Sequence, residues 1–123
     1  MSTEYYGNTV VGLKLSDSKI KEYLIANKAG IEPYEFMERL NLIYECDDDL
    51  NYFLTPCREL SSCIDIKHGV DSTKSIPLLH DYNYNAIEVG IKTELDKINN
   101  KMGWIGNLWD DNDFKIWCFG HTG

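Results

Sequence analysis

The sequence predicts a single α+β domain spanning residues 1–123, with a mostly antiparallel sheet and about three helices. The length of 123 residues suits one domain and is too short for two ordinary ones. Several short segments alternate apolar and polar residues, which is typical of strands, and others repeat apolar residues at helical spacing. The two kinds of segment are mixed without strict β-α-β alternation, which favours α+β over a parallel α/β fold.

The first predicted strand covers residues 8–15. Val11, Leu13 and Leu15 fall on one of its faces, as expected for a half-buried strand. Gly12 lies within it and indicates a bulge or a close approach of another backbone.

Two helices are predicted to follow this strand. The oxygens of residues 16–18 suit an N-cap for a helix that runs to about Asn27, with Gly30 just beyond its end. The second helix should begin at Pro33, because proline suits the first helical position. Its inward-facing residues are Phe36, Met37 and Leu40.

A hairpin with an acidic turn is predicted next. Residues 42–46 and 50–54 are apolar-rich and flank Asp47, Asp48 and Asp49. The alternative is a helix capped by one of these aspartates.

The middle of the chain is predicted to be mostly extended or irregular. Residues 62–67 suggest a short strand and residues 68–74 a loop. Residues 75–80 are extended, and Pro77 would place them at the edge of a sheet. Residues 81–85 form a turn-rich loop.

The clearest helix lies in the last third of the chain. One stripe at helical spacing contains Ile87, Ile91, Leu95 and Ile98. Asn85 is the predicted N-cap, Glu88 would complete a capping box, and Glu88 with Lys92 forms an ion pair one turn apart. Gly103 would close the helix.

A second hairpin is predicted at the C-terminal end. Residues 104–109 would pair with residues 114–119 across the turn at 110–113. Apolar residues occupy both faces of the second strand. That strand is therefore either central in the sheet or has a second face that meets a partner.

The charge of the chain argues against two classes of partner. The formal net charge is −8, the pI is about 4.7, and the only arginines are Arg39 and Arg58. Direct nucleic-acid binding and membrane binding both require clusters of basic residues, so neither is expected. No signal peptide or membrane-spanning stretch is apparent, which predicts a cytoplasmic protein with reduced cysteines.

Motifs for catalysis or cofactor binding are not found in the sequence. Cys57, Cys63 and His68 are metal-ligand types, but their spacing is wider than that of structural zinc sites. The acidic turn at 110–113 lacks the glycine and glutamate of a calcium-binding EF-hand loop. We therefore expect no metal, no cofactor and no catalytic residue.

The leading functional prediction is a protein-binding surface that combines acidic and aromatic residues. Its predicted members are Asp47, Asp48, Asp49, Trp109, Asp110, Asp111, Asp113 and Trp117. Aromatic anchors with a charged rim are common in binding hot spots, and carboxylates attract a protein partner with a basic surface. The bias towards lysine, isoleucine and asparagine fits an AT-rich coding sequence. This bias suggests a phage-type accessory factor that binds and inhibits a host protein.

Two alternatives from other functional classes remain open. Tyr82, Tyr84 and Trp104 would line the pocket of a small-ligand binder or sponge, which would form a homo-oligomer. A small hydrolase would instead use His68 or His80 together with nearby acids.

Overall fold

The computed structural model describes residues 5–56, 74–76 and 84–122. Within them the chain forms, in order, β1 (Tyr5–Ser16), α1 (Asp17–Ala26), α2 (Pro33–Arg39), β2 (Ile43–Cys46), β3 (Asn51–Thr55), β4 (Lys74–Ile76), α3 (Tyr84–Met102), one turn of 3-10 helix (Asp111–Asp113) and β5 (Phe114–Thr122). The predicted strand at 62–67, residues 68–73 of the predicted loop at 68–74, and residues 77–83 lie outside the described residues. Lys74, the last residue of that predicted loop, is instead the first residue of β4.

The described strands form one antiparallel sheet in the order β2-β3-β1-β5-β4. Three helices accompany it, so the α+β class is confirmed. The acidic segment is a hairpin turn between β2 and β3, as the sequence predicts, and the capped-helix alternative is wrong. β4 lies at one edge, and β5 is central, between β1 and β4.

The main core lies between one face of the sheet and the helices. Because strand residues alternate between faces, β1 directs Val11, Leu13 and Leu15 to the same side. The helical residues buried against this side are Ile20, Leu24, Phe36, Met37, Ile87, Ile91, Leu95 and Ile98. The helical stripe predicted from 87 to 98 is therefore the buried face of α3.

The opposite face of the sheet also has a buried apolar cluster. It contains Val10, Phe53 and Trp117, which belong to three adjacent strands. The rings of Phe53 and Trp117 have centroids 5.9 Å apart.

Gly12 marks a close approach of two backbones, as predicted. A Cβ at this position would lie 2.1 Å from the carbonyl oxygen of Leu54 on β3, far inside van der Waals contact. Only glycine leaves room for the neighbouring strand here.

The helix termini agree with the sequence at most points. Ser16 caps α1, because its Oγ accepts a hydrogen bond of 3.2 Å from the amide of Lys19. Gly103 has the positive φ of +68° expected after α3. The prediction that Asn85 caps α3 is wrong: the helix already begins at Tyr84, so Asn85 lies in its first turn.

The predicted C-terminal hairpin is also wrong. Residues 104–110 have no regular secondary structure, and β5 pairs with β1 and β4 instead. The side chain of Asn27 hydrogen bonds with both the amide and the carbonyl of Ile105, each at 2.8 Å. Asn99 Nδ2 donates to the carbonyl of Gly106 at 2.9 Å. These hydrogen bonds use backbone amide and carbonyl groups that a strand would need to pair with a neighbouring strand.

Candidate functional site

The two acidic turns of the sequence come together at one end of the sheet. Near the end of β1, Ser16 pairs with Asn51 of β3, and Leu13 pairs with Phe114 of β5. The turns that precede β3 and β5 therefore lie on either side of this end. They are two strand spacings apart across β1 and three residues apart along it, a separation of roughly 14 Å. We call this region the acidic end; its carboxylates belong to Asp17, Asp48, Asp49, Asp110, Asp111 and Asp113.

Asp17 brings the start of α1 to the same place. Its backbone amide donates to the carbonyl of Leu50 at 2.9 Å, which attaches the first turn of α1 to the β2–β3 turn. Its carboxylate forms an ion pair of 3.2 Å with Lys21, one helical turn later. From sequence alone Asp17 is only a helix-capping residue, because no spacing rule relates it to residues 47–50.

Asp47 differs from its two neighbours, because it builds the turn. Its side chain is buried, with 6% of its surface exposed. One carboxylate oxygen accepts from the amides of Asp49 and Asn51, at 3.0 and 2.9 Å, and the other accepts from Asn51 Nδ2 at 3.0 Å. Asp47 is therefore not part of the exposed surface, and its predicted place there is wrong.

The tip of the β2–β3 turn is exposed. Asp48 and Asp49 are exposed there, and Leu50 beside them has 54% of its surface exposed. Leu50 has a φ of +60°, which is uncommon for a residue with a side chain. The turn thus presents an apolar side chain beside two carboxylates. The sequence does not predict this feature, because its pattern places Leu50 in a strand.

The second turn is built by Asp110. Its Oδ1 accepts from the amide of Asn112, and its carbonyl accepts from the amide of Asp113, both at 2.9 Å. Asp113 forms an ion pair of 3.6 Å with Lys19 of α1. The carboxylates of this turn are thereby held beside the start of α1.

Trp109 adds a half-buried aromatic ring next to this turn. Its Nε1 donates to Asp111 Oδ1 at 2.6 Å. The ring packs on Phe114, with centroids 5.1 Å apart, and Lys92 Nζ lies 4.7 Å from its centroid. These contacts fix both the ring and the carboxylate of Asp111 in one orientation.

Trp117 is not a surface residue. It has 7% of its surface exposed, because its ring packs in the apolar cluster on the second face of the sheet. Its Nε1 donates to the carbonyl of Asp113 at 3.0 Å. Trp117 therefore supports the second turn from behind instead of facing a partner.

Negative charge at the acidic end also affects the thiol of Cys46. Burial raises the pKa of this thiol, and the carboxylates of Asp47, Asp17 and Asp48 raise it further. A raised pKa keeps the thiol protonated near neutral pH, which makes Cys46 a poor nucleophile.

The structure does not bring the predicted ligand-binding aromatics together. Tyr84 opens α3 and Trp104 follows its last turn, so about 30 Å of helix separates them. Trp104 packs against Tyr23 and Phe36, with centroid distances of 6.0 and 6.3 Å. The two residues therefore do not line one pocket within a single chain; Tyr82, the third predicted member, lies outside the described residues.

The histidines of the hydrolase alternative, His68 and His80, lie outside the described ranges, as do Cys57 and Cys63, the cysteines of the metal-ligand types. Among the residues that are described, no three histidine, cysteine or acidic side chains are grouped to hold a metal ion. None of the helices in residues 5–56 and 84–122 is both long and apolar enough to cross a membrane.

Comparison with known proteins gives no relative for this chain. No family model, no curated protein and no solved structure matches it. Function is therefore inferred from the geometry and charge of the described residues.

Proposed function

We propose that this chain is a non-enzymatic interaction protein whose acidic end binds a basic surface on a partner protein. The observation that carries the proposal is the convergence of two acidic turns, far apart in the chain, at one end of the sheet. The carboxylates of Asp48, Asp49 and Asp111 are exposed at this end. Opposite charge on a partner would speed association and orient the complex.

The construction of the turns supports binding without large rearrangement. Asp47 fixes the first turn by three hydrogen bonds, and Asp110 fixes the second through its side chain and its carbonyl. Surfaces that are ordered before binding lose less conformational entropy when a complex forms.

Apolar surface at the acidic end would supply binding affinity that charge alone does not provide. Exposed ion pairs contribute little affinity, whereas apolar and aromatic anchors dominate most hot spots. Leu50 at the tip of the first turn and the half-buried ring of Trp109 beside the second are the anchors we assign. The partner should therefore present lysine or arginine around an apolar depression.

Carboxylates in this arrangement also suit a partner site that normally binds phosphates. A protein that occupies such a site would inhibit the partner by excluding its own anionic ligand. We therefore expect that ligand to compete with this chain for the partner.

The experiment is an affinity pull-down from cell lysate with the native chain and three variants, with partners identified by mass spectrometry. One variant combines Asp48→Lys with Asp49→Lys, and another combines Asp111→Lys with Asp113→Lys, which leaves the turn-building Asp110 in place. The matched control, Glu38→Lys with Asp96→Lys, reverses the same number of exposed charges outside both turns. Circular dichroism confirms that each variant is folded.

We expect one stoichiometric protein partner that the native chain and the control retain at low salt. High salt and both turn variants should release it, because salt screens the charges and the variants reverse them. A partner retained equally by all four proteins would contradict the role of the acidic end. A bait that captures no protein would contradict the proposed function as a whole.

A further inference from the structure

Two isoleucines at the C-terminal end of α1 are unusually exposed. Ile105 has 81% of its surface exposed and Ile25 has 76%, the largest values among the large apolar side chains of the described residues. Ile25 lies in the last turn of α1, and Ile105 is attached to Asn27, which follows that helix. Single exposed apolar residues are ordinary, but two beside one helix end form a surface feature.

The loop that carries Ile105 is held in one conformation. Asn27 hydrogen bonds with both backbone groups of Ile105, and Asn99 binds the carbonyl of Gly106. Gly103 and Gly106 have φ of +68° and +114°, values that glycine adopts without strain. Ile105 is therefore a fixed apolar projection.

An apolar groove lies on the other flank of α1. Its volume is about 450 Å³, and its lining includes Leu24, Ile25, Ala29, Ile31 and Pro33. Tyr23 of α1 packs against Trp104 and lies beside Gly106, so it occupies the flank next to the Ile105 loop, whereas Leu24 lines the groove. The projection and the groove thus belong to the same region of the surface, with α1 between them.

Charge on this region favours a second copy of the chain as the occupant. Residues 102–109 contain no ionisable side chain, so burying the Ile105 loop desolvates no charge. The exposed charges of α1 and the groove rim balance, with Lys21 and Lys28 against Glu22 and Glu32. In a chain of net charge −8, this balanced region adds no local repulsion between two copies, and its mixed signs suit pairing across a two-fold axis.

We propose that this region is a two-fold interface in which Ile105 of each copy occupies the groove of the other. A closed dimer requires one surface that carries both complementary parts, and a projection beside a groove meets that requirement. The acidic end lies at the opposite end of α1, about 15 Å away, and stays exposed in such a dimer. The inference is independent of the proposed function.

The first test is the molar mass of the purified chain over a range of concentrations, measured by sedimentation. We expect a concentration-dependent dimer for the native chain. Ile105→Asp should weaken the dimer at least about tenfold, because it replaces a buried apolar contact with a charge. The control Val89→Asp changes another exposed apolar residue, on α3, and should leave the dimer unchanged. A native chain that stays monomeric at every concentration would overturn the proposal, as would a dimer that Ile105→Asp leaves intact.

The second test fixes which residues meet. A chain with Ile105→Cys is mixed with a chain carrying Ile25→Cys, under mild oxidation, and the parent chain serves as the control for the native cysteines. We expect a disulfide-linked species that joins the two variants, and none when Val89→Cys replaces Ile25→Cys. Equal cross-linking in both mixtures, or none in either, would overturn the proposed pairing.

Discussion

Asn51 donates two hydrogen bonds to Asp47, one from its backbone amide at 2.9 Å and one from its side-chain amide at 3.0 Å. The two donors reach different oxygens of the same buried carboxylate. The backbone amide of Asp47 also donates to the carbonyl of Asn51 at 3.1 Å. This exchange closes the β2–β3 turn and determines how Asp48, Asp49 and Leu50 are presented.

Replacing Asp47 with alanine should destabilise the fold by about 2 kcal/mol or more, because three donors lose a charged acceptor. Urea denaturation followed by circular dichroism measures this change. Asp49→Ala is the control, since the Asp49 side chain is exposed, and it should change stability by about 0.5 kcal/mol or less. Equal losses in the two variants would show that Asp47 does not have the assigned role.

The three aspartates of this turn show a limit of inference from sequence. The hairpin could be predicted, because apolar residues flank a polar run. Which aspartate would be buried could not be predicted, since that depends on the conformation of the turn and on the pairing of Asn51.

Trp117 shows the same limit of inference from sequence. The alternation in β5 placed apolar residues on both faces, but only the neighbouring strands determine that its ring packs on Phe53.

Gly12→Ala should destabilise the fold by about 3 kcal/mol, because the new methyl group would overlap the Leu54 carbonyl and push β1 away from β3. The control is Gly30→Ala. Gly30 has a φ of +67°, but apart from its chain neighbours no atom lies within 4 Å of the place that a methyl group would take, so only backbone strain of about 1 kcal/mol is expected. Thermal unfolding of both variants gives the comparison. A smaller loss at Gly12 than at Gly30 would contradict the close approach.

Asn27→Ala should release the loop that carries Ile105, because two hydrogen bonds of 2.8 Å are lost. We expect faster hydrogen exchange at the Ile105 amide and a loss of stability of about 1–2 kcal/mol. Asn100→Ala is the control, because Asn100 is an exposed neighbour on α3. Unchanged exchange at Ile105 in the Asn27 variant would show that other contacts hold the loop.

The same loop explains why the C-terminal hairpin was predicted wrongly. Residues 104–109 are apolar and aromatic, so their composition alone suggests a strand. The residues that hold this segment, Asn27 and Asn99, lie on other elements, and no local pattern links them to it. The glycines at 103 and 106 were the local signal against a strand, since both have positive φ.

Stability should fall at alkaline pH, and the direction follows from the raised pKa values of two buried tyrosines, Tyr23 and Tyr52, and of the half-buried Cys46. Burial raises the pKa of Tyr23, and burial together with nearby negative charge raises the pKa of Cys46 and of Tyr52. The unfolded chain therefore loses these protons at lower pH than the folded chain does. The stabilisation is complete below the ordinary pKa values, 9.0 for cysteine and 10.0 for tyrosine, and is lost as pH rises through the raised values.

Urea midpoints measured from about pH 8 to about pH 11 should therefore decrease steadily. Tyr52→Phe removes one of the three titrating groups, so its midpoints should decrease less over the same range. Comparing the two slopes separates this effect from a general loss of stability, because a variant that is merely weaker would shift every midpoint by a similar amount. A native chain whose midpoint is constant or rises across this range would contradict the raised pKa values. Parallel slopes for the two proteins would exclude Tyr52 as a contributor.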